Sequence, residues 1–75
     1  MNIEKTARGF EFIAFVDRYG LECSLQQSSL ADFEEPGVSA VWFGLEGNRM
    51  HIDLGQMKEL LPHLQAWVDN GSFRG

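Results

Sequence analysis

The most reactive side chains in this sequence are one cysteine and two histidines. Cys23 alternates with polar neighbours and shares its parity with Leu21 and Leu25, which places it on the apolar side of a strand. A catalytic cysteine needs an exposed, electropositive setting and a histidine base. We therefore interpret Cys23 as a buried core residue. A single cysteine also excludes an internal disulfide framework and a four-cysteine zinc site.

His51 and Asp53, together with His63, form a second candidate group, because imidazole and carboxylate groups are metal ligands. Their spacing matches no recognised ligand pattern, and Asp53 has the position of a helix N-cap. Glu34 and Glu35 are adjacent in a predicted loop, so they are not held at the fixed separation that glycoside hydrolysis needs. We predict no metal and no other cofactor. No residue set with defined catalytic roles can be assembled, so we expect a protein that is not an enzyme.

Four strands are predicted to position these residues. Aromatic and β-branched runs or strict alternation indicate strands over 10–16, 21–26, 38–45 and 49–52. Asp17-Arg18-Tyr19-Gly20 fits a tight type I turn, and Gly47-Asn48 is typical of a two-residue hairpin. The glycines at 44 and 47 are interpreted as turn residues, since no glycine loop leading into a helix surrounds them.

One amphipathic helix is predicted for the C-terminal part of the chain. Asp53 and Gln56 match a capping box, and Gly71 supplies a left-handed stop. Pro62 lies inside this segment, and we expect a bend there rather than two helices. Apolar residues recur at helical spacing and form one broad stripe, comprising Leu54, Met57, Leu60, Leu61, Leu64, Trp67 and Val68.

The predicted fold is therefore α+β. It is a small antiparallel sheet of about four strands in a meander, with one C-terminal helix packed on one face. The 75 residues are expected to form a single domain, 1–75. Trp42 and Trp67 are interpreted most simply as core residues, although an edge-exposed Trp42 would suit an interface.

Both faces of the first and third predicted strands carry large apolar groups, although one helix covers only one face. An exposed apolar patch on a small protein usually marks an interface. We predict either a homodimer or a partner protein on the open face. The alternative is that the N-terminal segment or the acidic loop covers it. The candidate residues of this face are Ile13, Phe15, Val41, Phe43 and Leu45.

All of the net charge of −5 comes from the middle of the chain. Acidic and basic residues balance in 1–18 and in 49–75, whereas 19–48 contains no lysine or arginine. An acidic surface repels phosphate backbones, so direct nucleic-acid binding is not expected. The same surface favours a basic protein partner, and the alternative is a solvated loop that keeps the protein soluble. The acids of this stretch are Glu22, Asp32, Glu34, Glu35 and Glu46.

The compartment expected from these features is a reducing cytoplasm. The lone cysteine is typical of such a compartment. No apolar run approaches the roughly 20 residues that cross a bilayer. Met1–Thr6 has no apolar stretch after its charges, so we also expect no signal peptide.

Three blocks of the chain resemble a family of small uncharacterised proteins encoded by tailed phages and prophages. The first block is Gly9-Phe10 followed by 17–29, and the second is Val41-Trp42-Phe43-Gly44. The third is Arg49-Met50-His51-Ile52, followed by Leu60-Leu61-Pro62-His63-Leu64 and Trp67. Family members often carry a long insertion between the second and third blocks, where this chain has a tight turn.

The resemblance implies a phage or prophage origin and action in the bacterial cytoplasm, and it transfers no activity. Small acidic phage proteins without catalytic residues often act by occupying a host protein, as anti-CRISPR and other anti-defence inhibitors do. This is an analogy of size, charge and origin rather than of fold.

The leading hypothesis is a non-catalytic inhibitor or modulator of a host bacterial protein that has a basic surface. Phe33 would act as an apolar anchor amid the acids. The candidate contact residues are Asp32, Phe33, Glu34, Glu35, Glu22 and Glu46.

Two alternatives stay open. One is a binder of a small anionic ligand, such as a nucleotide signal, at a homodimer seam. The other is a structural or assembly protein in which the homodimer is itself the function. The candidate ligand residues are Arg18, Tyr19, Gln26, Arg49 and His51, with Ser24 nearby.

Overall fold

A computed structural model describes residues 1–29 and 39–74. In these ranges five strands form one antiparallel sheet, and one helix follows them. The strands lie in the order β1-β2-β3-β4-β5, so the predicted meander and the α+β class are confirmed. The elements are β1 (Ile3–Lys5), β2 (Glu11–Val16), β3 (Glu22–Gln27), β4 (Ala40–Leu45), β5 (Asn48–Asp53) and α1 (Leu54–Asn70).

Strand β1 was not predicted from the sequence. It pairs with β2, with Ile3 opposite Ile13, and it forms one edge of the sheet. Thr6 builds the connecting turn, since its N–H donates to the Phe10 carbonyl and its hydroxyl accepts from the Phe10 N–H. The N-terminal segment therefore adds an edge strand to the sheet. The alternative prediction, that this segment covers the open face of the sheet, is wrong.

Two tight turns close the hairpins at one end of the sheet. In the β2–β3 turn the Asp17 carboxylate accepts from the N–H groups of Tyr19 and Leu21, at 2.8 and 3.0 Å. The β4–β5 loop is Glu46-Gly47, one residue earlier than predicted, because Asn48 already pairs with Leu45.

The strand registers define two faces of the sheet, because residues paired across strands point to the same side. The two sets of side chains below are called the apolar face and the polar face. The apolar face carries Ile3, Ile13, Phe15, Cys23, Leu25, Val41, Phe43, Leu45, Met50 and Ile52. The polar face carries Phe12, Ala14, Ser24, Gln26, Trp42, Gly44, Arg49 and His51.

The helix has the predicted ends. The Asp53 carboxylate accepts from the Gln56 N–H, and the Gln56 side chain accepts from the Asp53 N–H, so the capping box is confirmed. Gly71, at φ +76°, ends the helix and donates its N–H to the Trp67 carbonyl. Pro62 lies inside this single helix, as predicted. No helix among the described residues is long and apolar enough to cross a membrane.

Little of the helix is covered by the sheet. It packs mainly against β5, and a crevice of about 160 Å³ between the two is lined by Ile52, Leu54 and Met57 among others. The apolar residues that are buried in the described ranges are Cys23, Ile52 and Ala66. The prediction that Trp67 belongs to the core is wrong, since 56% of its surface is exposed. Because α1 follows β5 without a loop, it stays beside that edge strand.

Candidate functional site

Arg49 is the centre of a connected group of side chains on the polar face. Its Nη1 donates to Ser24 Oγ at 3.1 Å and to Gln26 Oε1 at 3.0 Å. Both acceptors lie on β3, so the arginine reaches across the whole of β4. Gly44 is the β4 residue paired with both Ser24 and Arg49, and it has no side chain to block that path.

The burial of Ser24 shows how firmly this arrangement is held. Only 2% of its surface is exposed, and its hydroxyl accepts from Arg49. A buried hydroxyl without a partner would cost about 1–3 kcal/mol, and Arg49 supplies that partner. The structure leaves no buried side-chain N or O atom of the described residues without a hydrogen bond. The guanidinium is therefore fixed in place before any ligand arrives.

Trp42 and His51 extend the group along β4 and β5. They are cross-strand partners, and their rings stack with centroids 4.0 Å apart and planes 13° apart. The Arg49 Cζ lies 5.8 Å from the Trp42 ring centroid, within the range of a cation–π contact. His51 is exposed, so one face of its ring packs on Trp42 while the residue stays open to solvent. We call Ser24, Gln26, Trp42, Arg49 and His51 the arginine–tryptophan cluster.

The N–H groups of Arg49 that make no hydrogen bond to the protein determine what the cluster can bind. Both hydrogen bonds to the protein use Nη1, so the edge formed by Nε and Nη2 stays uncommitted. Among the described residues, Arg49 has no carboxylate within ion-pair distance. This edge matches the two oxygens of a phosphate or carboxylate group. The cluster can therefore bind an oxyanion at two points.

His51 also approaches a hydroxyl, an arrangement that catalytic sites use as well. Its Nε2 is hydrogen-bonded to Ser28 Oγ at 2.8 Å, a distance that a serine nucleophile and its base also adopt. Such a base needs a third group that orients its other nitrogen. The Asp53 carboxylate on the same strand is already bonded to the helix N-terminus. Among the described residues, the His51–Ser28 pair thus has no carboxylate that orients the imidazole.

The predicted ligand residues are only partly brought together. Gln26, Arg49 and His51 belong to the arginine–tryptophan cluster. Arg18 and Tyr19 lie instead in the β2–β3 turn, both exposed, and neither bonds to the cluster. The Asp17 carboxylate closes their turn beyond the strand ends, and a ligand role for Arg18 and Tyr19 stays a prediction.

The acidic candidates fall into two groups. Glu22 and Glu46 are exposed neighbours at one end of the sheet, where the Glu46 N–H donates to the Glu22 carbonyl at 3.1 Å. Asp32, Phe33, Glu34 and Glu35 lie outside the described residues. The five candidates for an open face, Ile13, Phe15, Val41, Phe43 and Leu45, all lie on the apolar face, where the rings of Phe15 and Phe43 are 6.1 Å apart.

The candidate metal ligands His51, Asp53 and His63 each have a different partner in the structure. Asp53 caps the helix, and His51 stacks on Trp42. The Nδ1 of His63 is hydrogen-bonded to the Phe73 carbonyl at 3.0 Å, where the C-terminal segment returns along the helix. Within residues 1–29 and 39–74, no three His, Cys, Asp or Glu side chains are grouped as a metal site.

Two residues on which the cluster depends were not assigned to a site from the sequence. Trp42 was interpreted as core or interface, and Gly44 as a turn residue. The strand parities contain a signal, because Ser24, Gln26 and Ser28 alternate on one strand. That signal becomes useful only with the register, which places Gly44 between Ser24 and Arg49.

Comparisons of the chain with protein-family models, curated proteins and solved structures found no match.

Proposed function

We propose that this protein is a non-catalytic binding protein that takes a small phosphate-bearing ligand, of the nucleotide class, on its polar face. The observation that carries the proposal is the placement of Arg49. Its guanidinium is fixed across β4 by Ser24 and Gln26 while its Nε–Nη2 edge stays uncommitted. A preoriented arginine with a free edge is suited to two-point recognition of a phosphate.

The aromatic part of the cluster supports a nucleotide over a bare anion. His51 stacks on Trp42 and remains exposed, so a planar base can pack against the histidine ring. The polar atoms of Gln26 and Ser28 lie along the same face. Phosphate and base would thus each meet a matching group on neighbouring strands.

The net charge of −5 constrains how this site binds. The overall field of the protein repels an anionic ligand at long range. Affinity must therefore come from direct hydrogen bonds and stacking. We expect binding to depend on the presence of Arg49 far more than on the ionic strength.

The test is a calorimetric titration of the full chain with adenosine monophosphate, with adenosine as the uncharged control. We expect binding of the monophosphate and much weaker binding of adenosine. Arg49→Gln should raise the Kd by about tenfold or more, since a hydrogen bond to a charged group contributes roughly 1.5–3 kcal/mol. Arg49→Lys should also weaken binding, because lysine keeps the charge but lacks the planar edge.

Arg18→Gln is the matched control, since it removes the same charge at an exposed turn residue outside the cluster. We expect it to leave the Kd unchanged. Far-ultraviolet circular dichroism checks that each variant is folded. Equal weakening by Arg18→Gln and Arg49→Gln, or no monophosphate binding at millimolar concentration, would contradict the proposal.

A basic protein partner is the second candidate, and the position of Glu22 and Glu46 favours it. The two acids are exposed side by side at one end of the sheet. Opposite charges across an interface raise the association rate and fix the register of the partners. The resemblance to phage proteins makes a host protein in the bacterial cytoplasm the expected target, with an anti-defence role as the expected outcome.

This second candidate predicts a charge-dependent complex. Tagged protein carrying both Glu22→Lys and Glu46→Lys should lose a stoichiometric host protein that the wild type captures from a bacterial lysate. Glu4→Lys and Glu11→Lys, exposed acids on β1 and β2, provide the matched control. Mass spectrometry identifies the captured protein. Its retention by the variant reversed at positions 22 and 46 would contradict a role for this end of the sheet.

A further inference from the structure

The helix α1 presents an apolar stripe that is largely exposed in the described chain beyond its first turn, where Leu54 and Met57 line the crevice beside β5. The stripe begins at the first residue of the helix, and every large side chain in it beyond Met57 is between 43% and 72% exposed. The exposed members are Leu54, Leu60, Leu61, Leu64, Trp67 and Val68. An apolar surface of this size on a small protein marks an interface.

The chain as a single copy is also poorly packed. Its radius of gyration is 13.8 Å, against roughly 11 Å for a compact domain of this length. Its buried apolar residues in the described ranges are only Cys23, Ile52 and Ala66. Ala66 lies on the side of α1 opposite to the stripe, where the C-terminal segment folds back on His63 and Asn70. The stripe is thus left open, whereas Ala66 on the other side of the helix is buried.

The spacing of the stripe is that of an amphipathic helix, and it is compatible with packing along a second helix. Leu54, Met57, Leu61, Leu64 and Val68 recur at alternating three- and four-residue intervals, the a and d positions of a heptad. Leu60 and Trp67 flank this seam and widen it.

The charges on α1 suit a second copy of the same acidic chain. Glu59 and Asp69 project away from the stripe, and the flanking position nearest to it is Lys58. Two copies can therefore meet along the stripe without placing acid against acid. The helix also has no acidic residue in its first turn and no basic residue in its last turn. An antiparallel copy would place opposite helix ends together and offset both macrodipoles.

The stripe supplies part of the area that a specific dimer needs. Burying an aliphatic side chain removes roughly 60–120 Å² from water, at about 25 cal/mol per Å², and burying an aromatic one removes about 150–250 Å². Half of these areas, over five aliphatic side chains and Trp67, gives on the order of 300 Å² per copy. A specific interface removes about 1,000 Å² in total, so neighbouring apolar surface must contribute the rest. Exposed Met50 and Leu45 on the neighbouring apolar face would add to it.

We propose that the stripe of α1 packs on α1 of a second copy of this chain, and that the resulting homodimer is the folded form of the protein. The interface is isologous, because each copy contributes the same stripe. The stripe lies on α1, whereas the arginine–tryptophan cluster is built from β3, β4 and β5, so the two surfaces use different side chains.

The test measures the mass of the full chain in solution by light scattering after gel filtration. We expect twice the chain mass of 8.5 kDa for the wild type. Leu64→Lys places a charge at the centre of the seam, at a side chain already 45% exposed in one copy, and should give the mass of a single chain. Glu59→Lys is the matched control, because Glu59 is exposed and projects away from the stripe, and this variant should remain a dimer.

A second measurement keeps the proposal testable if Leu64→Lys fails to fold. The melting temperature of the wild type should rise when the protein concentration is raised about a hundredfold, as mass action requires for a folded dimer. A wild type with the mass of one chain and a concentration-independent melting temperature overturns the proposal. A folded Leu64→Lys protein that keeps the dimer mass overturns it as well.

Discussion

The two faces of the sheet differ in how far their side chains are satisfied by contacts within the chain. On the polar face, Ser24, Gln26, Trp42, Arg49 and His51 satisfy one another by hydrogen bonds and ring stacking. On the apolar face and the adjoining helix, large side chains such as Met50 and Leu60 stay more than 40% exposed. The first surface is complete and leaves one arginine edge for a ligand. The second leaves apolar side chains exposed, and the proposed homodimer would cover part of them.

This difference follows from the period of two in the strands. Gly44 and Arg49 face one way, while Phe43 and Met50, one residue along each strand, face the other. The same strands can therefore assemble on one side and bind a ligand on the other. Substitutions on the two faces should have separable effects.

The largest effect is expected on the apolar face. Phe43→Ala should lower the free energy of unfolding by about 3 kcal/mol, because it removes a large side chain that packs against Phe15. Urea unfolding at one fixed protein concentration measures the change. Where the variant is folded, its Kd for adenosine monophosphate should equal that of the wild type.

Phe12→Ala is the control for this change, since Phe12 is the half-buried phenylalanine of the polar face. Its cross-strand neighbours are Glu4 and Gln26 rather than another aromatic ring. We expect it to cost about 1 kcal/mol. Equal costs for the two variants would show that the faces do not differ in their contribution to stability.

The smallest effect is expected within the polar face. Ser24→Ala removes one of the two acceptors that orient Arg49 and should weaken monophosphate binding about fivefold, as a net hydrogen-bond contribution of roughly 1 kcal/mol implies. Calorimetry of the single and double variants measures the coupling. In an Arg49→Gln background, Ser24→Ala should change the Kd little. Additive losses would mean that Ser24 acts independently of Arg49.

The parts of the fold that depend on local signals were predictable. The capping box at Asp53 and Gln56, the stop at Gly71 and the strand alternation around Cys23 all follow from neighbouring residues. Strand β1 was missed because Ile3–Lys5 is too short to show a periodicity. The predicted β4–β5 turn was wrong by one residue because Asn48 serves equally in a turn or a strand.

The candidate site was predictable only in part because it is built across strands. Gln26, Arg49 and His51 were recognised by residue type, whereas Arg18 lies outside the cluster and Trp42 was interpreted as a core residue. Arg49 can extend over β4 because Gly44 lies opposite it. No local sequence pattern predicts this pairing. Helical spacing likewise identified the stripe around Trp67 but not what covers it.

The central claim is that the ligand binds on the polar face and not at the helix stripe. The most direct test is a titration with adenosine monophosphate that maps the amide and side-chain chemical shifts by nuclear magnetic resonance. We predict large chemical-shift changes at Ser24, Gln26, Trp42, Arg49 and His51. The chemical shifts of Leu61, Leu64 and Val68 should not change. Shift changes centred on the helix stripe, or none on the polar face at saturating ligand, would contradict the claim.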